Sequence, residues 1–373
     1  MRTPLALAAT VVFACAVASC QMSKPAPFPL QMETRVPFDP TAFPSAGRNI
    51  LLYELHLTNF TPSPLSLDRI EVLDPHSPAQ PIAVFDGAAL QAMTGLLTSG
   101  SPAMPPQIAG GQTVIVFMSI SFDSGARIPD RLIHRVVASG ATAEGAGIGT
   151  RHTRLQVLGP PVEAANWIAA DGPGNEPDNH HRRGVHVFDG QPVISERYAI
   201  DWKQVENGAS FSGDPKDRHS YFSYGKPVLA VADARVVFAR DGLPENTPGH
   251  GDAFHPAVPI TLDTVGGNMI TLDIGDGEYA YYLHLQPGSI RVKTGDRVRR
   301  GQVLARIGAS GDAREPHLHF EVTTSPKPFF GEGIPYLIDQ YTVTAPDGGS
   351  LQAHEHELPL NKSIVSFRSS TSQ

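Results

Sequence analysis

A chain of 373 residues, 41% of them apolar, is long enough for about two domains, each burying its own core. With 37 acidic residues against 29 lysines and arginines, its formal net charge of -8 excludes the basic footprint expected of a nucleic-acid-binding protein. The 35 glycines and 34 prolines argue against long helices and for turn-rich β structure.

The first twenty residues read as an export signal. Arg2 supplies a positive start, Leu5 to Val17 form an uncharged apolar stretch, and Val17-Ala18-Ser19 places small residues before Cys20. That stretch is too short to span a bilayer comfortably, and no later segment comes closer to the required length. It resembles a bacterial lipoprotein signal. The resemblance implies a mature N-terminus acylated at Cys20 and a membrane-anchored protein facing the periplasm or cell exterior. Cys15 would leave with the signal, so no intrachain disulfide is expected. Residues 21–30 read as a tether.

From residue 31 to 158 the chain shows short runs with alternating or continuous apolar character. Ile50 to Leu57, Leu65 to Val72, Gln112 to Phe122 and Leu132 to Ala138 are separated by Pro-, Gly- and Ser-rich breaks. Strands at this spacing predict an immunoglobulin-like β-sandwich. Chemistry-bearing residues do not cluster there, and the expected role is that of a spacer or docking module.

Gly159-Pro160-Pro161-Val162 reads as a linker into a second β-rich unit, residues 159–345. Pro227 to Ala239 predicts two strands around a bend. Asn268 to Ile274 and Glu278 to Leu285 predict a hairpin turning at Gly275-Asp276-Gly277. Gly301 to Ile307 and His317 to Thr323 predict further strands, with a loop over residues 309–316 between them. The stretch 346–373 reads as a polar tail without a clear element, and the His354-Glu355-His356-Glu357 run in it as solvated decoration. His250 and His255 are expected to be solvated or to line a groove, Trp202 to be core, and Arg297, Arg299 and Arg300 to be a solvated strand edge.

The strongest local signal is Pro316-His317-Leu318-His319-Phe320-Glu321-Val322. Two histidines two apart on a strand point to one face and can converge on one metal or one reacting group. Taken alone, the pair equally fits two half-buried strand histidines. Its surroundings narrow the choice. Tyr281-Tyr282-Leu283-His284-Leu285 is followed by Gly288-Ser289-Ile290, then by Val292-Lys293-Thr294-Gly295-Asp296-Arg297-Val298. Gly301-Gln302-Val303-Leu304 and Ile307-Gly308-Ala309-Ser310-Gly311 complete the series. Together with Tyr224-Gly225-Lys226-Pro227-Val228-Leu229-Ala230 upstream, this series closely resembles the lysostaphin-type, or LytM-like, family of zinc peptidases that act on peptidoglycan. The likeness covers roughly the second half of the chain. It implies an all-β protein in which the N-terminal sandwich precedes a mostly antiparallel peptidase domain with a substrate groove.

The resemblance also implies roles. Asp201, in Arg197-Tyr198-Ala199-Ile200-Asp201-Trp202, and His319 would bind Zn²⁺, while His284 and His317 would be catalytic. Three protein ligands leave one position for a water, as hydrolysis by zinc requires. One position departs from the pattern: Arg197 stands four residues before the aspartate, where the family carries a ligand histidine, and a guanidinium cannot bind zinc. The upstream run Asn179-His180-His181-Arg182-Arg183 resembles a subgroup phrase, and it makes His181 the preferred third ligand, ahead of His180 and then His186. The implied activity is cleavage of peptide cross-links in bacterial peptidoglycan. The alternative left open by Arg197 is a non-catalytic domain that binds wall peptides or activates a partner hydrolase.

Overall fold

The computed structural model describes residues 28–95, 106–344 and 351–368. The expected signal with Cys20, and most of the tether, lie outside the described residues. No helix among the described residues is long and apolar enough to cross a membrane.

Nearly all of the regular secondary structure described is β, as expected. In the N-terminal unit, β1 (Arg48–Asn59), β2 (Leu65–Leu73), β3 (Thr113–Asp123), β4 (Arg131–Ala138) and β5 (Ala141–Gly149) are the long strands, with one short helix, α1 (Gly87–Met93). They form two antiparallel sheets. One holds β1 and β3 with shorter partners, the other holds β5, β4 and β2 in that order. Leu51, Tyr53, Leu55 and Leu57 from the first sheet meet Leu67, Ile70, Val72 and Val136 from the second in one core.

β1 has a second buried face. Its odd-numbered residues face the sandwich core, and the period of two turns Ile50, Leu52, Glu54 and His56 the other way. Ile50 and Leu52 join the core of the second unit, alongside Phe43, Tyr198 and Trp202. β3 behaves likewise: Ile115 and Phe117 pack with Ile194 of the second unit. The N-terminal unit is therefore packed broadside against the rest of the chain rather than strung from it.

The second unit is built on one large sheet, eleven-stranded among the described residues. Its strands include β6 (Trp167–Ala170), β7 (Ile200–Gln204), β8 (Ala234–Arg240), β9 (Asn268–Gly275), β10 (Glu278–Leu285), β11 (Leu318–Thr323), β12 (Leu337–Thr344), β13 (Leu351–Glu357) and β14 (Ile364–Ser366). The spatial order is β12-β14-β6-β7-β11-β10-β9-β8, with β13 on β12. All these pairings are antiparallel. The β9–β10 hairpin lies as expected. Its two loop residues, Asp276 and Gly277, have φ of 55° and 76°, the positive values that a tight Asp-Gly hairpin turn requires.

Two boundaries differ from the sequence reading. Val157–Leu158 already pairs in parallel with β12, so the second unit begins before the Gly-Pro-Pro stretch. Residues 351–366 are not a featureless polar tail. They supply β13 and β14, and β14 lies between β12 and β6. β13 escapes a hydrophobic-pattern reading because most of its side chains are exposed and backbone pairing alone defines it.

Candidate metal centre

Two strand registers build the floor of the site. Asp201 on β7 lies directly opposite His319 on β11, and His319 lies opposite Leu283 on β10. His317, His319 and Glu321 share one face of the β11 segment through the period of two. His284 follows Leu283 with φ of 63°. A left-handed conformation at a non-glycine residue costs on the order of 1–3 kcal/mol, and such strain clusters at functional sites. Behind it, Gly311 passes so close to the Gly267 backbone that an added Cβ would lie 2.3 Å from the Gly267 nitrogen.

His181 arrives from outside the sheet, on the single turn α2 (His180–Arg183). Asn179 caps that turn by accepting a hydrogen bond from the Arg182 amide at 2.9 Å. His181 Nδ1 donates to the Asp171 carbonyl at 2.9 Å, which leaves Nε2 as the free ring nitrogen, 3.4 Å from Asp201 Oδ1. His319 Nδ1 lies 3.0 Å from the same carboxylate oxygen. His317 Nε2 lies 3.3 Å from Asp201 Oδ2, and its Nδ1 donates to the Glu315 carbonyl at 2.8 Å. His284 Nδ1 donates to the Ser310 carbonyl at 2.9 Å. All five residues are buried, and all five line one groove with Lys203 and Arg314.

The other two candidate histidines are placed differently. His180 is largely exposed and pairs with Asp171 at 3.2 Å. Its ligand atom nonetheless lies within 4.8 Å of those of His181 and Asp201. His186 stacks on Phe188 and belongs to no convergent donor group among the described residues. A second such group joins His181 and His319 to Glu196. His250 lines the groove, in line with one of the two readings given for it.

The electrostatics follow from crowding. Burial alone would depress His181 and His319, but Asp201 reverses this in both, aided at His319 by Glu321, and both are raised. Burial likewise opposes ionisation of Asp201, yet His317 and His181 hold it well below the usual carboxylate range. His284 is pushed well below the histidine range by burial and by the neighbouring His317 and His319. Two ring nitrogens, His181 Nε2 and His319 Nδ1, thus approach one carboxylate oxygen, Asp201 Oδ1. They repel one another unless a proton or a cation stands between them. A two-nitrogen, one-oxygen donor set fits a borderline cation such as Zn²⁺.

Sequence reasoning missed Glu321. His319 Nε2 has no hydrogen-bond partner, and neither does the buried Glu321 Oε2 3.8 Å away. The signal was present, since Glu321 follows His319 by two on the same strand. Arg197 is buried, and its guanidinium is bound by Glu54 at 2.6 Å and Glu332 at 2.7 Å. It takes no part in the donor cluster.

Residues 220–330 match the sequence model of Peptidase family M23. That span holds His284, His317 and His319, whereas His181 and Asp201 precede it. The chain is 33% identical to the peptidoglycan DD-endopeptidase ShyB of Vibrio cholerae over 35% of this chain and 28% of that protein. It is 42% identical to lysostaphin of Staphylococcus simulans over 27% of this chain and 16% of the relative. With the murein hydrolase activator NlpD of Salmonella typhimurium it shares 28% identity over 35% of this chain and 29% of the relative. The matches span less than a third of the length of each of these relatives.

Proposed function

We propose, from the premise that this chain carries a domain of peptidase family M23, that it is a zinc-dependent endopeptidase cleaving peptide cross-links of bacterial peptidoglycan. His181, Asp201 and His319 are the residues that would hold the metal. The observation that carries this reading is the approach of both ring nitrogens to one oxygen, Asp201 Oδ1, at 3.4 Å and 3.0 Å. When bound, zinc supplies acidification of a water and polarisation of a carbonyl.

The chain's own residues supply the rest. His284 is neutral at pH 7, and with Nδ1 bonded to the Ser310 carbonyl its Nε2 is free to accept a proton. His317 is oriented in the same way by the Glu315 carbonyl. Once protonated, either ring can donate to the oxygen of an attacked carbonyl or to the departing amine. Burial of both rings in the groove strengthens such contacts by excluding water. An exported location, anchored through a lipid on Cys20, fits an extracellular polymer as substrate.

A second reading, a binding-only or activating domain, draws on Arg197 at the family's ligand position and on the likeness to an activator. One experiment separates the two. Zinc content of the purified protein is measured together with release of shortened muropeptides from sacculi, before and after chelation. One zinc per chain with chelator-sensitive release supports the peptidase. Absence of both supports the binding domain.

A further inference from the structure

We propose that Glu54, on the N-terminal sandwich, is a positioning residue for the metal ligands His181 and Asp201, which makes the sandwich a working part of the metal site. The proposal rests on the metal reading above and concerns how the ligands are held.

α2 has four residues, too few to be stable as an isolated helix. Its order must come from what it is fastened to. Successive helical residues diverge by roughly 100° around the axis, so His181 and Arg182 point in different directions. His181 turns into the groove, and Arg182 turns to the sandwich. The Arg182 guanidinium is fully buried and donates to the Glu54 carboxylate, to the Tyr53 carbonyl at 2.8 Å and to the Met118 carbonyl at 3.2 Å. Arg183 lies over the Phe117 ring at 4.2 Å and donates to the Ala92 and Met93 carbonyls. The two residues that follow the ligand are thus both bound to the N-terminal unit.

The same Glu54 carboxylate accepts from Arg197 at 2.6 Å. Arg197 lies four residues before Asp201, on the segment that enters β7. A single carboxylate therefore ties together the two segments that deliver His181 and Asp201. Burial would raise Glu54, but Arg197 and Arg182 hold it down at about 2, so it is ionised throughout the working range. Glu332 supplies the second negative charge, and two arginines face two carboxylates. Buried clusters of this kind add little net stability compared with apolar packing, but they do fix geometry. Arg197, at the position where the resemblance implies a ligand histidine, acts here as a strut between the two ligand-bearing segments.

The test uses the full chain. Zinc affinity is measured by chelator competition, and the Co²⁺-substituted absorption spectrum reports the ligand set. In Glu54→Gln we expect zinc affinity to fall by about 10-fold or more, the range seen when outer partners of metal ligands are removed, with an altered Co²⁺ spectrum and partial recovery in Glu54→Asp. Ser45→Ala is the control. Its hydroxyl donates to the Leu358 carbonyl at 2.6 Å across the same interface, away from both arginines. It should lower the melting temperature and leave zinc affinity unchanged. If Glu54→Gln fails to fold, the double variant Glu54→Leu/Arg182→Leu removes the charges together and should fold with the same weakened zinc binding. A folded variant with unchanged affinity and spectrum overturns the proposal while His181→Ala still loses zinc. Absence of zinc binding in the unsubstituted chain overturns the metal reading and this proposal together.

Discussion

His180 and His181 are adjacent, with ring centroids 4.2 Å apart, yet one side chain is 62% exposed and the other 2%. Their separation of roles follows from one helical turn: His181 points down at Asp201 and His180 points out toward Asp171. His181→Ala should therefore lower zinc affinity by at least roughly 100-fold, since it removes a direct ligand. His180→Ala should stay within a few-fold, and His186→Ala should be unchanged. Zinc content after dialysis, with the fold checked by circular dichroism, decides among the three. Full retention of zinc in His181→Ala rejects the ligand assignment.

His284 gives a different signature. Its ring is oriented by the Ser310 carbonyl and is absent from the convergent donor groups. His284→Ala should keep its zinc and lose about 10²–10⁴-fold in kcat, the usual contribution of a positioned acid or base. Loss of zinc from this variant would make His284 a ligand instead.

A pH effect on stability should arise far from the groove. His134 Nδ1 donates to the Ala146 carbonyl at 2.8 Å, and its Nε2 accepts from the Tyr53 hydroxyl at 2.7 Å. That arrangement suits only the neutral ring, and burial pushes its pKa down to about 4. Between that value and the unfolded value near 6.5, the unfolded chain holds a proton that the native chain lacks. Stability must then fall as pH drops through this window, by roughly 3 kcal/mol for the whole of it. Urea unfolding at pH 7, 6 and 5 should show a steeper loss in the unsubstituted protein than in His134→Gln. Equal slopes would assign the loss to other groups.

Anchoring is tested at Cys20. Cys20→Ala should move the protein from the membrane fraction to the soluble fraction, or leave it unprocessed. An unchanged membrane fraction would rule out lipidation there.

The sequence was most legible where pattern and geometry coincide. The His-x-His strand, the Asp-Gly hairpin and the alternating strands of the sandwich are local features, fixed by side-chain period or turn chemistry. Asp201 was singled out through its motif, and the strand register sets it directly opposite His319. α2 was not legible, because a single turn has no periodicity to read. Nor was the covered outer face of β1. Ile50-Leu51-Leu52-Tyr53 shows that both faces of the strand are apolar, but a continuous apolar run does not say what covers the second face. Glu54 within that run carries no local sign of its partners, because Arg182 and Arg197, which account for its burial, lie 128 and 143 residues further along the chain.

β14 lies inside the large sheet's order although it comes after every other described strand in sequence. Trp167 and Ile168 pair with it on one side, and Thr342 and Val343 on the other. The strands carrying the donor cluster and the strands β12 and β13 are thus two half-sheets, and Ile364–Ser366 is the stitch between them. During synthesis the halves must wait, unjoined and with open edges, until that stitch has emerged. Such edges invite pairing with other chains. Late closure through a contact nearly two hundred residues apart in sequence also makes this a slow step.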